Sequence, residues 1–221
     1  MTEIPIIDFN EMDLAVSRKM HKAFTTVGFA VFTNVYDRWL SDFDLWEESV
    51  KQFFDLPQET KDKYKYSGVQ QNLGYSEMGS EWLHPDRPGD LKEAYNWKAP
   101  YDMEDKYWPT EIPLFRTQAE KIERIMRYLS FKFLERFEFA LGLPYGYLVE
   151  KHLYGTTTAR IIHYPKYEGP VEDKQMRGNE HTDYDTFTML FRFQDCGGLF
   201  VKTIDGEWIE VPVIELSLIH I

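Results

Sequence analysis

Apolar positions along this chain recur at a spacing of about 3.6 up to Leu141 and at a spacing of 2 beyond Thr156, which predicts helices first and strands after. Ile4-Pro5-Ile6-Ile7-Asp8-Phe9 is a β-branched run closed by turn formers and predicts a short strand. Val16, Met20, Ala23, Phe24 and Val27 then fall on one helical face, and Gly28 stops that helix where Phe29-Ala30-Val31-Phe32 begins a strand. Leu40, Phe43, Trp46, Val50, Phe53 and Phe54 mark a second amphipathic helix with a core-facing aromatic stripe, and Pro57 is placed to open a further short helix. Between Lys65 and Pro113 the periodicity dissolves into Gly, Pro, Asp and aromatics, which reads as a partly structured lid or substrate loop. Residues 114–141 restore it: Ile122, Ile125, Met126, Leu129, Phe133, Phe137 and Ala140 form one apolar stripe, and Gly142 with Pro144 supplies the stop.

In the period-two part, Ala159-Arg160-Ile161-Ile162-His163-Tyr164-Pro165 predicts a strand, followed by a Gly- and charge-rich loop to Glu180. Thr186 to Phe193 and Leu199 to Ile204 predict two more strands. Asp205-Gly206 is a hairpin signal turning the last of these into Glu207-Trp208-Ile209-Glu210-Val211. Helices followed by antiparallel strands point to an α+β fold with helices against one face of a curved sheet. No repeat, low-complexity run or domain boundary interrupts residues 1–215, so one domain is expected, with an N-terminal part over about 1–110 and the long helix over about 114–142.

Composition narrows the function. A net charge of -12, with Asp+Glu 37 against Lys+Arg 25 and no basic run, argues against nucleic acid or an anionic membrane as partner. Cys196 is the sole cysteine, so no intrachain disulfide forms and a reducing, cytoplasmic setting is expected. No apolar run approaches the roughly 20 residues of a membrane span, and no targeting segment is evident.

Candidate chemistry concentrates at His181-Thr182-Asp183. In an extended segment, residues two apart project to one side and can offer an imidazole nitrogen and a carboxylate oxygen to one cation. A second His from elsewhere would complete a facial two-His, one-carboxylate set suited to non-haem Fe(II). A His-x-Asp triplet is common by chance, so its surroundings decide its weight.

Those surroundings are Arg160-Ile161-Ile162-His163-Tyr164-Pro165, about fifteen residues, His181-Thr182-Asp183-Tyr184, then Gly197-Gly198-Leu199 and Asp205-Gly206-Glu207-Trp208. Ahead of them come Ile4 to Phe9, Gly28-Phe29, Phe53-Phe54-Asp55-Leu56-Pro57, Gly74-Tyr75 and Asp90-Leu91-Lys92-Glu93. In order and spacing this series resembles the isopenicillin N synthase-like 2-oxoglutarate/Fe(II) dioxygenases over residues 4 to about 214. The resemblance implies a double-stranded β-helix (jelly roll) over about 156–215, with His181 and Asp183 as iron ligands and Tyr164 as donor to the distal carboxylate of 2-oxoglutarate. It further implies a small-molecule substrate and O2, with decarboxylation of 2-oxoglutarate to succinate coupled to hydroxylation, desaturation or cyclisation. Ile162 and His163 stand where Asn and Tyr are usual, which makes His163 a sheet residue beside the site and not a ligand. Asp185 replaces a common Gly.

The family's second His and its Arg-x-Ser follow the His-x-Asp pair by some fifty and sixty residues, and this chain offers only His220 after Asp183. Residues 216–221, Leu-Ser-Leu-Ile-His-Ile, are what CTG TCT CTT ATA CAC ATC encodes, which is similar to a transposase adapter used in sequencing libraries. The expectation is a natural chain continuing past about Glu215 and carrying the third ligand. Alternatives are His220 as ligand, a catalytically incomplete product, or a member that does not use 2-oxoglutarate. Substrate choice is expected from the stretch Tyr66 to Trp97, with Tyr75, Arg87 and Glu93 as open candidates.

Overall fold

The computed structural model describes residues 3–66, 68, 72–82, 86–99, 103–183, 185–193, 196–214 and 217–220, and leaves the side chains of Ala99 and His220 undescribed. Tyr184 of the central motif, and residues 216 and 221 of the expected adapter segment, lie outside the described residues.

In chain order the elements are β1 (Ile6–Asp8), α1 (Asp13–Thr26), β2 (Ala30–Thr33), α2 (Leu40–Phe54), α3 (Gln58–Lys61), β3 (Gly74–Ser76), β4 (Glu93–Ala99), α4 (Phe115–Leu141), α5 (Tyr147–His152), β5 (Thr157–His163), β6 (Met189–Phe191), β7 (Phe200–Lys202), β8 (Trp208–Glu210) and β9 (Leu218–His220). The mixture is α+β, and the predicted helices recur almost residue for residue. The chain divides into two compact units, one of Met1–Leu40, Ile125–Gly155 and Asp183–Ile221, the other of Ser41–Arg124 and Thr156–Thr182.

The first unit holds a four-stranded sheet in the order β1-β2-β9-β6. β1 runs parallel to β2, while β9 pairs antiparallel with both β2 and β6. Leu218 and Ile219 of β9 are buried, and Ile219 joins Ile4, Val27, Val31, Val201 and Val211 in one apolar cluster. α1 ends as its sequence requires: Gly28 takes φ +81, and its N–H bonds the Ala23 carbonyl. Phe133 of α4 stacks on Phe9 and meets Phe32 edge-on. The carboxylate of Glu138, on the same helix, accepts from the backbone N–H groups of Gly146, Leu148 and Val149 at 2.7, 2.7 and 3.0 Å, capping α5. The hairpin of β7 and β8 turns at Asp205-Gly206 as expected, with Gly206 at φ +84.

The second unit holds a three-stranded antiparallel sheet, β3-β4-β5, with β4 in the middle. This corrects the reading of residues 65–113 as a lid or substrate loop. Ala94, Tyr95, Asn96 and Trp97 are all buried, so both faces of β4 are covered and no period-two alternation marks it. Its aromatics pack with those of α2 and the start of α4: Trp46 meets Trp97 and Phe115, and Phe53 meets Tyr75, Tyr95 and Phe115, with centroids 5.0–5.9 Å apart.

Candidate functional site

His181 and Asp183 fall in segments without regular structure, and the strand after them begins at Met189, a few residues later than predicted. They belong to different units, so each is described in its own surroundings.

In the second unit, His181 Nδ1 lies 2.9 Å from the backbone carbonyl of Asn179. A carbonyl can only accept, so Nδ1 carries the proton and the lone pair lies on Nε2. Metal-binding histidines characteristically donate the other ring N–H to a carbonyl or carboxylate, which fixes tautomer and ring orientation. Asn179 is itself 2% exposed. Its amide Nδ2 donates to Asp90 Oδ1 at 2.6 Å, and its Oδ1 accepts from Arg87 Nη1 at 2.7 Å. Tyr164 follows the end of β5. Its hydroxyl lies 3.7 Å from where a Cβ on Gly178 would stand, which brings it to the strap carrying His181. Among the described residues no protein group hydrogen-bonds that hydroxyl. Burial pushes the phenol above the ordinary tyrosine range, with Arg160 and Arg177 pulling the other way, although 48% of the residue's surface is open to solvent.

In the first unit, Asp183 Oδ2 accepts from the Thr188 hydroxyl. The segment leading to Thr188 is pinned twice. Phe187 packs on Phe133 and Phe137, and His152 Nε2 accepts from the Thr186 hydroxyl at 2.9 Å while its Nδ1 donates to the Leu148 carbonyl at 2.7 Å. A carboxylate oxygen is a hard donor of the kind divalent cations take. An imidazole nitrogen and a carboxylate oxygen are donor types that a facial set on Fe(II) uses. Among the described residues no three His, Cys, Asp or Glu side chains come together, and His220 is described only by its backbone, paired with Ala30 and Met189.

The other candidates are structural. His163 Nδ1 donates to Glu93 Oε1 at 2.8 Å, and Glu93 Oε2 accepts from Lys61 Nζ at 2.8 Å and from the Tyr75 hydroxyl at 2.5 Å. Desolvation works to raise the Glu93 carboxyl, but the donors His163, Lys61 and Tyr75 outweigh it and hold the group below its usual range. Tyr75 is pushed up, first by burial and then by this carboxylate. Tyr75 and Glu93 are thus spent on a buried network inside the sheet, and Arg87 serves Asn179. Sequence reading missed Asn179, Asp90 and His152; only Asp90 carried a signal, in Asp90-Leu91-Lys92-Glu93.

Residues 4–115 match the family described as non-haem dioxygenase in morphine synthesis, N-terminal. A Schizosaccharomyces pombe protein whose name assigns no activity is 30% identical over 226 residues, covering 96% of this chain and 68% of its own length. The validamycin A dioxygenase of Streptomyces hygroscopicus subsp. limoneus is 26% identical over 76% of this chain, which spans only 50% of that relative. Among solved structures, a full-length Neurospora crassa protein in complex with alpha-KG superposes with a TM-score of 0.84 at 27% identity, over 98% of this chain and 72% of that one.

Proposed function

The chain belongs to the isopenicillin N synthase-like 2-oxoglutarate/Fe(II) oxygenases, whose fold is the jelly roll, and from that premise we propose that it serves O2-dependent oxidation of a small organic substrate. His181 through Nε2 and Asp183 through a carboxylate oxygen would hold Fe(II), and the Tyr164 hydroxyl would donate to a carboxylate of 2-oxoglutarate. Bound there, iron and 2-oxoglutarate would supply the chemistry that activates O2, with 2-oxoglutarate itself oxidised to succinate and CO2.

The observation that carries the reading is the Asn179 carbonyl on His181 Nδ1, because it presents the ring in the tautomer a cation needs. Asp183 adds a hard anionic oxygen that favours a divalent ion over none. Tyr164 adds a neutral donor on a stiff stem, which orients a carboxylate without adding charge to the site. A phenol keeps its proton at neutral pH in any case, and burial moves its pKa further up.

Anaerobic titration with Fe(II), or with Co(II) as its spectroscopic stand-in, tests the metal assignment. His181→Ala and Asp183→Ala should each weaken binding at least 100-fold, and unchanged affinity in both variants removes it. With metal present, Tyr164→Phe should weaken 2-oxoglutarate binding about tenfold, close to 1.4 kcal/mol, and leave metal affinity unchanged. Equal 2-oxoglutarate affinity in the Phe variant would take Tyr164 out of the site.

A further inference from the structure

We infer that residues 87–91 clamp the strap 175–179 and that Asn179, gripped by Arg87 and Asp90, is the positioning residue for the His181 imidazole; the inference rests on the proposed metal-binding role of His181. Residues 164–181 contain no helix or strand, so no backbone ladder fixes the direction in which the strap delivers His181. Holding each such residue in one conformation costs entropy, which something outside the strap must offset.

Four hydrogen bonds do this, all from one short stretch some ninety residues earlier. Leu91 N–H donates to the Met176 carbonyl at 2.8 Å, and Gln175 Nε2 donates to the Gly89 carbonyl at 3.0 Å. Arg87 Nη1 and Asp90 Oδ1 then take the two ends of the Asn179 amide, donor to acceptor and acceptor to donor, at 2.7 and 2.6 Å. An amide held at both ends cannot rotate or flip, so the backbone of residue 179 is held with it.

The clamp is itself anchored. Asp90 is fully buried, its Oδ2 is paired with Lys92 Nζ at 2.7 Å, its N–H donates to the Glu81 carbonyl at 2.8 Å and its carbonyl accepts from Gly79 N–H at 3.0 Å. At Gly89 the backbones close so tightly that a Cβ would stand 1.9 Å from the Gly79 carbonyl oxygen, so the stretch has one seating. The chain of contacts then ends on chemistry. The Asn179 carbonyl is the group that accepts from His181 Nδ1, and the Tyr164 hydroxyl lies over Gly178 next to it. One clamp thereby sets the imidazole's direction and tautomer together with the ground beneath Tyr164. Groups that orient a metal-binding histidine in this way change metal affinity about 10–100-fold when removed.

The test reads tautomer and affinity separately on the full chain. With 15N-labelled histidine at about pH 8, where an ordinary imidazole is neutral, the His181 signal should report mainly Nδ1–H. Asn179→Ala keeps the carbonyl and removes the gripped amide. It should mix the tautomers and raise the Co(II) dissociation constant 10–100-fold. Arg87→Met, at a partly exposed position, should move both readings in the same direction by a smaller factor, about threefold to tenfold, and Arg87→Lys should recover most of it. If Asn179→Ala fails to fold, the Arg87 pair decides by the same two readings. An unchanged His181 tautomer in folded Asn179→Ala or in Arg87→Met overturns the clamp. A wild-type chain that takes up no Co(II) sinks the metal reading instead, and the clamp is then judged on the tautomer alone.

Discussion

The sheet of β3, β4 and β5 and the hairpin of β7 and β8 are built by opposite means. β4 is covered on both faces and held by side chains that arrive from far along the chain. Its Glu93 is 4% exposed and takes donors from Tyr75, Lys61 and His163, which lie 18, 32 and 70 positions away. The hairpin's reversal is set by its own turn. Val201 points inward between exposed Phe200 and Lys202, and the reversal rests on Gly206 at φ +84, with Gly206 N–H donating to the Thr203 carbonyl at 2.9 Å. Local chemistry sets the hairpin's reversal, although Val201 also packs with Ile4, Val27, Val31, Val211 and Ile219, whereas the sheet depends on a buried charge that is safe only while all its partners are present.

The sharpest way to break this contrast is to remove that charge. Glu93→Ala leaves the Lys61 ammonium, 9% exposed, with the Phe54 carbonyl but without its counter-ion, and the loss of one partner of a buried pair costs about 3–5 kcal/mol. Urea unfolding should show a loss of that order, large enough to leave a marginal protein. Replacing Glu93 by Gln keeps the shape and an acceptor and should cost less. A midpoint shift in Glu93→Ala no larger than that of an exposed residue would mean the network is decorative.

The contrast also marks what the sequence could disclose. Helices α1, α2 and α4 were legible because each buries one stripe, and a single stripe leaves its period in the order of residues. The hairpin was legible because Asp205-Gly206 is local. β4 was not, since burial on both faces erases alternation and its aromatics read as loop. At the site, His181, Asp183 and Tyr164 stood out through their spacing and through resemblance. Asn179 did not, because its part depends on Arg87 and Asp90, 92 and 89 positions distant, and no window along the chain contains all three.

A milder perturbation of the sheet is acid. The Glu93 carboxyl sits below its usual range in the folded chain, so its stabilising contribution is complete above the unfolded value near 4.5 and is lost as the pH falls through the folded value. The stability difference between wild type and Glu93→Gln should therefore shrink as the pH falls below about 4. A gap that widens as the pH falls below about 4 would reverse the sign of the shift and with it the assignment of Lys61 and His163 as donors to an ionised carboxylate. The hairpin offers no comparable buried carboxylate and should contribute little to this slope.

The smallest expected effect lies at the turn. Gly206→Ala meets no atom within 4 Å of the new Cβ, so sterics with neighbours cost nothing. What remains is the left-handed backbone, which disfavours an L side chain by about 1 kcal/mol. Gly206→Asn should recover part of that loss, because asparagine tolerates this region better than alanine does. The two variants therefore separate conformational cost from packing: urea midpoints in the order Gly, Asn, Ala mean that the turn is held by its dihedrals alone. Equal midpoints for Asn and Ala would show that something other than the left-handed dihedrals of residue 206 sets the cost.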